Sequence, residues 1–443
     1  MPKDIIKDKS ELITALTNII EVSYAQSEHI FEIEDIIIDF KLRLPLEEWD
    51  RKAILSKNKM ILRNNPNLTF NFHFKNCEFK KDITIMDRRS ILNNTNINSE
   101  DSTDYSEDGS STYEFSDCEF DNDKIEIGNT KRNIVFSGEG KFTKLLSFHN
   151  SKLLGKIRFR KCNFNKVNFH NAKFNDLADF WSCTFNQKTI FYKTDFLGNV
   201  VFSSAIFKEN VLFTYTLIDK LIIFRGTTFE RGLDLSTAII TGTISYFDVS
   251  LKDFKAENEN GKEKYESFIS EDAIIPLKNK RETYRILKNN YEKLSNNSES
   301  LEMKELEMKT LLKEVEGRLI DRISVGNLSE YILLSLNRYS NNYGNSYFNG
   351  AVFTAAVALV FFYLSVINTN MFFFDSKLCV EKEAFIDGSK YFWQFILPIH
   401  RFDYLGNGCG LEYYAGFYLF DFLGRIFVGY GMYQTIQAFR KHK

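Results

Sequence analysis

A chain of 443 residues has room for two or three domains, and 57 basic against 59 acidic residues leave a formal charge of only -2. That balance excludes a uniformly basic surface, so any site for a polyanion must be a local one. The 43 phenylalanines and 21 tyrosines are far above ordinary usage and need a structural reason.

Taken in chain order, residues 1–65 suggest a helical cap, with one helix from Ile6 to Val22 and another from Leu46 to Leu62. The first residues are charged and polar, so no cleavable signal peptide is expected. Phe70 to Ile85 and Tyr113 to Ile127 read as early coils of a solenoid spanning 66–255. The acidic, Ser- and Asn-rich run near 93–111 reads as a polar insertion between them.

From Phe159 the aromatic residues keep time: Phe164, Phe169, Phe174, Phe180, Phe185, Phe191, Phe196, Phe202, Phe207 and Phe213 follow at intervals of five or six. Neither a helix nor a flat strand has that period. A chain that turns a corner after each short segment does, with one large side chain per wall pointing inward. Two positions before many of these stands a small residue, such as Cys162, Ala172, Ala178, Cys183 or Ala205. Cys77, Cys118, Cys162 and Cys183 share this slot, so they read as small core residues in a reducing compartment rather than metal ligands. This pattern resembles the pentapeptide-repeat family, which implies a right-handed quadrilateral β-helix. With a coil of about 22 residues and a rise of about 4.8 Å, the regular stretch makes roughly four coils.

A helical linker is expected over 274–345. Tyr284, Leu287, Tyr291 and Leu294 recur at helical spacing, a polar turn follows at Ser295 to Ser300, and Leu301, Met308, Leu311 and Leu312 begin a second helix that runs on to Ile323. Together they make an αα-hairpin. Its opening run, Arg281-Glu282 through Tyr291-Glu292-Lys293, is similar to the linker of membrane-anchored bacterial pentapeptide-repeat proteins.

Residues 346–443 read as a transmembrane domain. Phe348 to Ile367 carries no charge and is long enough to cross hydrocarbon. Tyr413 to Ile436 reads as a second span, interrupted by Asp421 and Arg425. The basic tail Arg440-Lys441-His442-Lys443 places the C-terminus, and with two spans the N-terminal domains, on the cytoplasmic side of a bacterial inner membrane. Between the spans, residues 391–404 fit an interfacial helix, a re-entrant helix or an external cap, with His400 and Arg401 at the membrane boundary. Neither Leu405 to Gly410 nor Gly429-Tyr430-Gly431 fits a potassium filter.

Ionisable residues at membrane depth mark function or pair with each other, so Asp421 and Arg425 are candidates for a pore or gate, or for an internal pair that only neutralises the helix. Gly424, Val428 and Gly431 offer a small face for close helix packing. Two spans cannot enclose a pore alone, so a pathway requires a homo-oligomer, with a tetramer favoured by analogy with other two-span channels. Cys379 and Cys409, both outside the repeat slot, are candidates either to pair beyond the membrane or to stay as free thiols.

No phosphate-binding glycine loop, metal spacing or nucleophile motif is present, so neither an enzyme nor a cofactor is expected. The architecture resembles the membrane effectors of bacterial antiphage systems, the Hailong channel effectors in particular. That resemblance implies an ion channel opened by an oligodeoxyadenylate or other oligonucleotide from a partner nucleotidyltransferase. Such a ligand needs cations and aromatic platforms, for which Arg158, Arg160, Lys161, Lys144 and Arg225, with Tyr192 and Tyr215, are the candidates. The alternative is a non-conducting scaffold anchored in the lipid and binding other proteins.

Overall fold

The computed structural model describes residues 3–15, 19–20, 28–45, 69–87, 111–138, 141–251, 253–256, 275–369, 391–402, 404–405 and 412–441. The chain divides into two compact units, Met1–Thr283 and Tyr284–Lys443.

The first unit is a β-helical solenoid of short strands in sheets of 13, 10, 5 and 3 members. Segments this short cannot pair with themselves, so each satisfies its backbone groups against the coils on either side. Equivalent aromatic residues therefore fall in register: Phe142 with Phe164, Phe164 with Phe185, Phe185 with Phe207 and Phe207 with Phe229. Their rings also form ladders through the interior. Phe115, Phe136, Phe159, Phe180, Phe202 and Phe224 stack with successive centroids 4.6 to 5.7 Å apart.

One corner explains how the turns are made. Asp35, Asn76, Asp117, Gly138, Lys161, Ser182, Ser204, Gly226 and Asp248 all adopt positive φ, so this corner recurs nine times among the described residues. Asn, Asp and Gly enter that region most readily. Lys161, Ser182 and Ser204 are held there by backbone N–H bonds of 2.7 to 3.0 Å to the next coil.

The solenoid begins earlier than the composition suggests. Asp4–Ile6 pairs in parallel with Ile36–Ile38, and Glu28–Glu34 pairs with Thr69–Lys75 along its whole length. Over the described residues within 4–44, coils therefore stand where a helical cap was expected, and of the stretch Ile6 to Val22 the described helix is α1, Lys9–Ala15, with Ile19–Ile20 a strand. Phe31 and Ile33 are buried beside exposed Glu34, an alternation that suits a strand better than a helix. Phe79 pairs with Phe120, 41 residues on, whereas Phe120 pairs with Phe142 only 22 on, so the early coils carry long excursions. The helix expected over Leu46 to Leu62 and the polar insertion, except Ser111, lie outside the described residues.

At the other end, the first turns of α2 (Leu277–Lys293) close the stack. Lys280 is 1% exposed and pairs with Asp253, while its ammonium also donates to the Phe254 carbonyl. Leu235 N donates to Thr283 Oγ1 at 2.9 Å and Asn279 Nδ2 donates to Asp234 at 2.9 Å. These bonds occupy part of a sheet end that would otherwise lie open.

In the second unit, α2 is followed by α3 (Asn297–Asp321), as the hairpin spacing predicts, with Lys288 and Glu307 paired at 2.8 Å. A further helix, α4 (Val325–Asn341), was not predicted; Ser324 caps its start. α5 (Tyr347–Ile367) and α6 (Ala415–Lys441) run antiparallel. Tyr347 meets Phe439, Gly350 faces Thr435, Thr354 faces Gly431 and Phe361 stacks on Phe427. Among the described residues, α5 is the one helix long and apolar enough by length and composition to cross a membrane.

Candidate functional site

The second unit holds a buried ionic cluster that no stretch of sequence announces as a whole. Asp421 lies one turn before Arg425 on α6, and Arg425 Nε donates to Asp421 Oδ2 at 2.8 Å. The other carboxylate oxygen, Oδ1, lies 2.7 Å from His400 Nε2. His400 Nδ1 is in turn 2.7 Å from the Leu397 carbonyl. Both imidazole nitrogens thus face acceptors, the arrangement that suits an imidazolium with two donors or a proton held on the carboxyl. Asp421 is fully buried and His400 nearly so, while the Arg425 side chain is 20% exposed.

The aromatic surroundings complete the site. The Arg425 guanidinium lies 4.0 Å from the Phe402 ring centroid, and the His400 ring meets Phe395 and Tyr404 at 5.3 and 4.8 Å. Tyr404 Oη and Arg425 Nη2 are buried without a hydrogen-bond partner among the described residues. Charges held in so apolar a setting interact strongly and are costly to separate.

His400 reaches Asp421 because the chain doubles back. After a single helical turn over residues 391–395, Phe395, Tyr404 and Leu405 join Ala358, Phe417 and Val428 in one apolar cluster. The His400 side chain is thereby buried against the helix pair, while Arg401 is exposed. Phe395 also fills the space left by Gly424, where a β-carbon would meet Phe361 Cβ at 3.0 Å. A β-carbon at Gly431 would stand 3.2 Å from Thr354 Cα. The small face of Gly424, Val428 and Gly431, expected to permit close helix packing, packs within one chain against α5 and Phe395.

The candidate ligand residues on the solenoid separate into groups. Arg158 and Arg160 lie on the strand Ile157–Arg160, in which Arg158 is in register with Asp179 of the next coil. Arg160 Nε is 3.9 Å from Asp179 Oδ2. Burial raises the Asp179 carboxyl from its ordinary range, against the pull of Arg160 and Arg158. Lys161 stands 5.8 Å over the half-exposed Trp181 ring, and Arg225 stands 5.9 Å from Phe247. Arg160, Trp181, Arg225 and Phe247 occupy one column, in which the two arginines are three coils, or about 14 Å, apart. Arg160, Asp179, Trp181 and Val201 line a shallow surface recess.

Lys144 is on another wall, where it pairs with Asp123. Tyr192 and Tyr215, with rings 6.1 Å apart, continue a row formed by His149 and His170. That row follows the corner of Asn150, Asn171, Lys193 and Tyr215, half a coil away from Lys161. The structure therefore brings Arg158, Arg160, Lys161 and Arg225 to one face, with Trp181 and Phe247 as their aromatic neighbours, and leaves Lys144 and both tyrosines elsewhere. Trp181 and Phe247 were detectable only by aligning coils at their true lengths of 21 to 23 residues. Cys379 and Cys409, the candidates for pairing, lie outside the described residues.

Residues 148–195 match the family described as pentapeptide repeats (9 copies). No curated protein and no solved structure gave a match.

Proposed function

We propose that this protein is a homo-oligomeric ion channel, with a tetramer as the favoured assembly, anchored by α5 and α6 in a bacterial inner membrane and gated through a right-handed quadrilateral β-helix in the cytoplasm. The observation that carries it is the His400–Asp421–Arg425 cluster, ionisable and buried between helices whose outer sides are apolar. Val352, Leu359, Val360 and Tyr363 of α5 are half-exposed or more, while its buried residues are Gly350, Thr354, Ala358 and Ser365. Such inverted polarity suits hydrocarbon outside and polar contacts within.

In this proposal the segment 391–405 is re-entrant beside the two spans, and the cluster lies where a change in helix packing would open or close a path. The arginine and lysine face of the solenoid takes the phosphates of an oligonucleotide, with Trp181 and Phe247 stacking its bases. Resemblance to antiphage membrane effectors supports an oligodeoxyadenylate made by a partner nucleotidyltransferase, released on infection and acting by depolarisation. A non-conducting, membrane-anchored scaffold is the second reading. It is favoured by one observation: both oxygens of Asp421 are already engaged within the protomer.

The test is single-channel recording of the reconstituted protein in a planar bilayer, with and without short oligodeoxyadenylates. Openings that require the oligonucleotide, and are lost on replacing Arg158, Arg160 and Lys161 with Glu, support the proposal. Silence from folded, inserted protein under both conditions supports the scaffold.

A further inference from the structure

Helix α4 packs Leu334 and Tyr331 against α3 and turns a polar side to α6. There Asn337 Oδ1 accepts from Tyr430 Oη at 2.9 Å and from Gln434 Nε2 at 3.2 Å, and Asn341 Nδ2 donates to the Gln434 backbone carbonyl at 3.1 Å. Its outward side is apolar. Val325, Leu328, Ile332 and Tyr339 recur at intervals of three, four and seven residues and are 87, 46, 49 and 70% exposed, with Leu333 beside them at 57%. A water-facing helix buries its apolar stripe and shows its polar one. Exposed apolar residues on this scale need an apolar medium or a partner.

Several observations favour lipid. Tyr430, which bonds Asn337, also meets Phe353 in the second turn of α5, so the C-terminal half of α4 lies level with the first turns of the apolar helix. The exposed stripe continues at the α3–α4 turn, where Ile320 and Ile323 are 86 and 84% exposed. Glu330 and Arg338 are the acidic and basic side chains of α4, and Glu330 turns back to Arg318 at 2.8 Å. Exposed Arg322 and Arg338 flank the stripe near its two ends, where anionic headgroups would lie beside buried acyl chains. At 17 residues, α4 is about 25 Å long, short of the hydrocarbon thickness of about 30 Å, and so is suited to lying in the interface rather than crossing it.

We infer that α4 is a third membrane-embedded helix, lying in the interface with Val325, Leu328, Ile332 and Leu333 among acyl chains and Arg322 and Arg338 at anionic headgroups, an inference that rests on the membrane anchoring proposed above. This would make α4 the element through which lipid composition acts on the ionic cluster, since its anchors, Tyr430 and Gln434, are on the same helix as Asp421 and Arg425.

The test places a photo-crosslinking p-benzoylphenylalanine at Ile332 of the full chain, and separately at Tyr363 on the exposed side of α5, in vesicles of phosphatidylethanolamine and phosphatidylglycerol. Intact mass then identifies the adduct. A lipid adduct at both positions is expected. A chain-to-chain adduct at Ile332 overturns the inference and gives the face to a second copy, and no adduct at Ile332 beside a lipid adduct at Tyr363 overturns it in favour of water. Absence of lipid adducts at both positions, with release of the chain by alkaline carbonate, overturns the membrane anchoring itself. As a measurement independent of crosslinking, the added fluorescence of Leu328→Trp is lost in vesicles of brominated lipid. Unchanged fluorescence overturns the placement of α4.

Discussion

Cys77, Cys118 and Cys183 each place Sγ 3.3 Å from a carbonyl of an earlier coil, those of Ile33, Phe74 and Phe159. Thr194 and Thr227 make the corresponding bond to Phe169 and Phe202 at 2.8 and 2.7 Å. The slot thus selects for smallness and, at many coils, for a donor. The Cys77 thiol beside it, followed by burial, pushes the Cys118 thiol up, and burial followed by Cys162 does so for Cys183. A raised folded pKa favours the folded state while the thiol stays protonated. That contribution is complete below the ordinary thiol pKa of about 8.5 and is lost as pH rises through the folded value. Denaturant titrations of wild type and Cys183→Ala should therefore diverge above that pH, with wild type losing stability faster. Iodoacetamide should leave Cys77, Cys118, Cys162 and Cys183 unmodified in the native protein and label all four in urea; rapid native labelling would contradict their burial. The same scale governs the ionic cluster. Asp421→Asn leaves Arg425 and His400 without their shared anion, a loss of about 3–5 kcal/mol by analogy with other broken buried pairs. It should lower the unfolding temperature in detergent more than His400→Gln, which leaves the Asp421–Arg425 pair in place.

Elements in the solenoid have little independent existence, because a strand of two residues has no stability without its neighbours. Phe180 stands between Phe159 and Phe202, with centroids 5.6 and 5.2 Å away. Phe180→Ala should cost about 3–5 kcal/mol. In an array coupled mainly between nearest neighbours, hydrogen exchange should rise first in the adjoining coils and least at distant ones. A uniform rise would show that the solenoid opens as one unit. Corners are equally exacting: at Gly198 a β-carbon would stand 2.8 Å from Asp176 Cα of the preceding coil. Gly198→Ala should destabilise by about 1–3 kcal/mol, measured as a lower denaturation midpoint. Among the helices, α2, α3 and α5 follow from spacing and hydropathy. α4 escaped notice because it carries apolar residues on two sides, Leu334 and Tyr331 against α3 and Leu328, Ile332 and Leu333 outward, so no single stripe marks the side that packs.

At the scale of the whole molecule, the proposal requires a stable assembly, since one α5–α6 pair encloses nothing. Native mass spectrometry from detergent should find a tetramer, and a monomer at all concentrations would remove the channel while leaving the anchored scaffold. The repeating half of the chain was readable because every coil imposes the same demands, one ring per wall and one small residue near each corner, and the period survives irregularity at single positions. Its beginning was obscured, since the early coils pair residues 41 apart and the period is lost inside the excursions. The ionic cluster depended on tertiary structure. Asp421 and Arg425 are visible as an i,i+4 pair, but His400 meets them only because residues 391–405 fold back on the helices, a contact with no local period to betray it. Likewise, charge runs could nominate Lys144 beside Arg158, yet coil geometry puts them on different walls. Sequence sets which residues repeat and which helix is apolar, through local spacing and hydrophobicity. Which charges meet, and which side of a helix is turned outward, is decided by how distant segments pack in three dimensions.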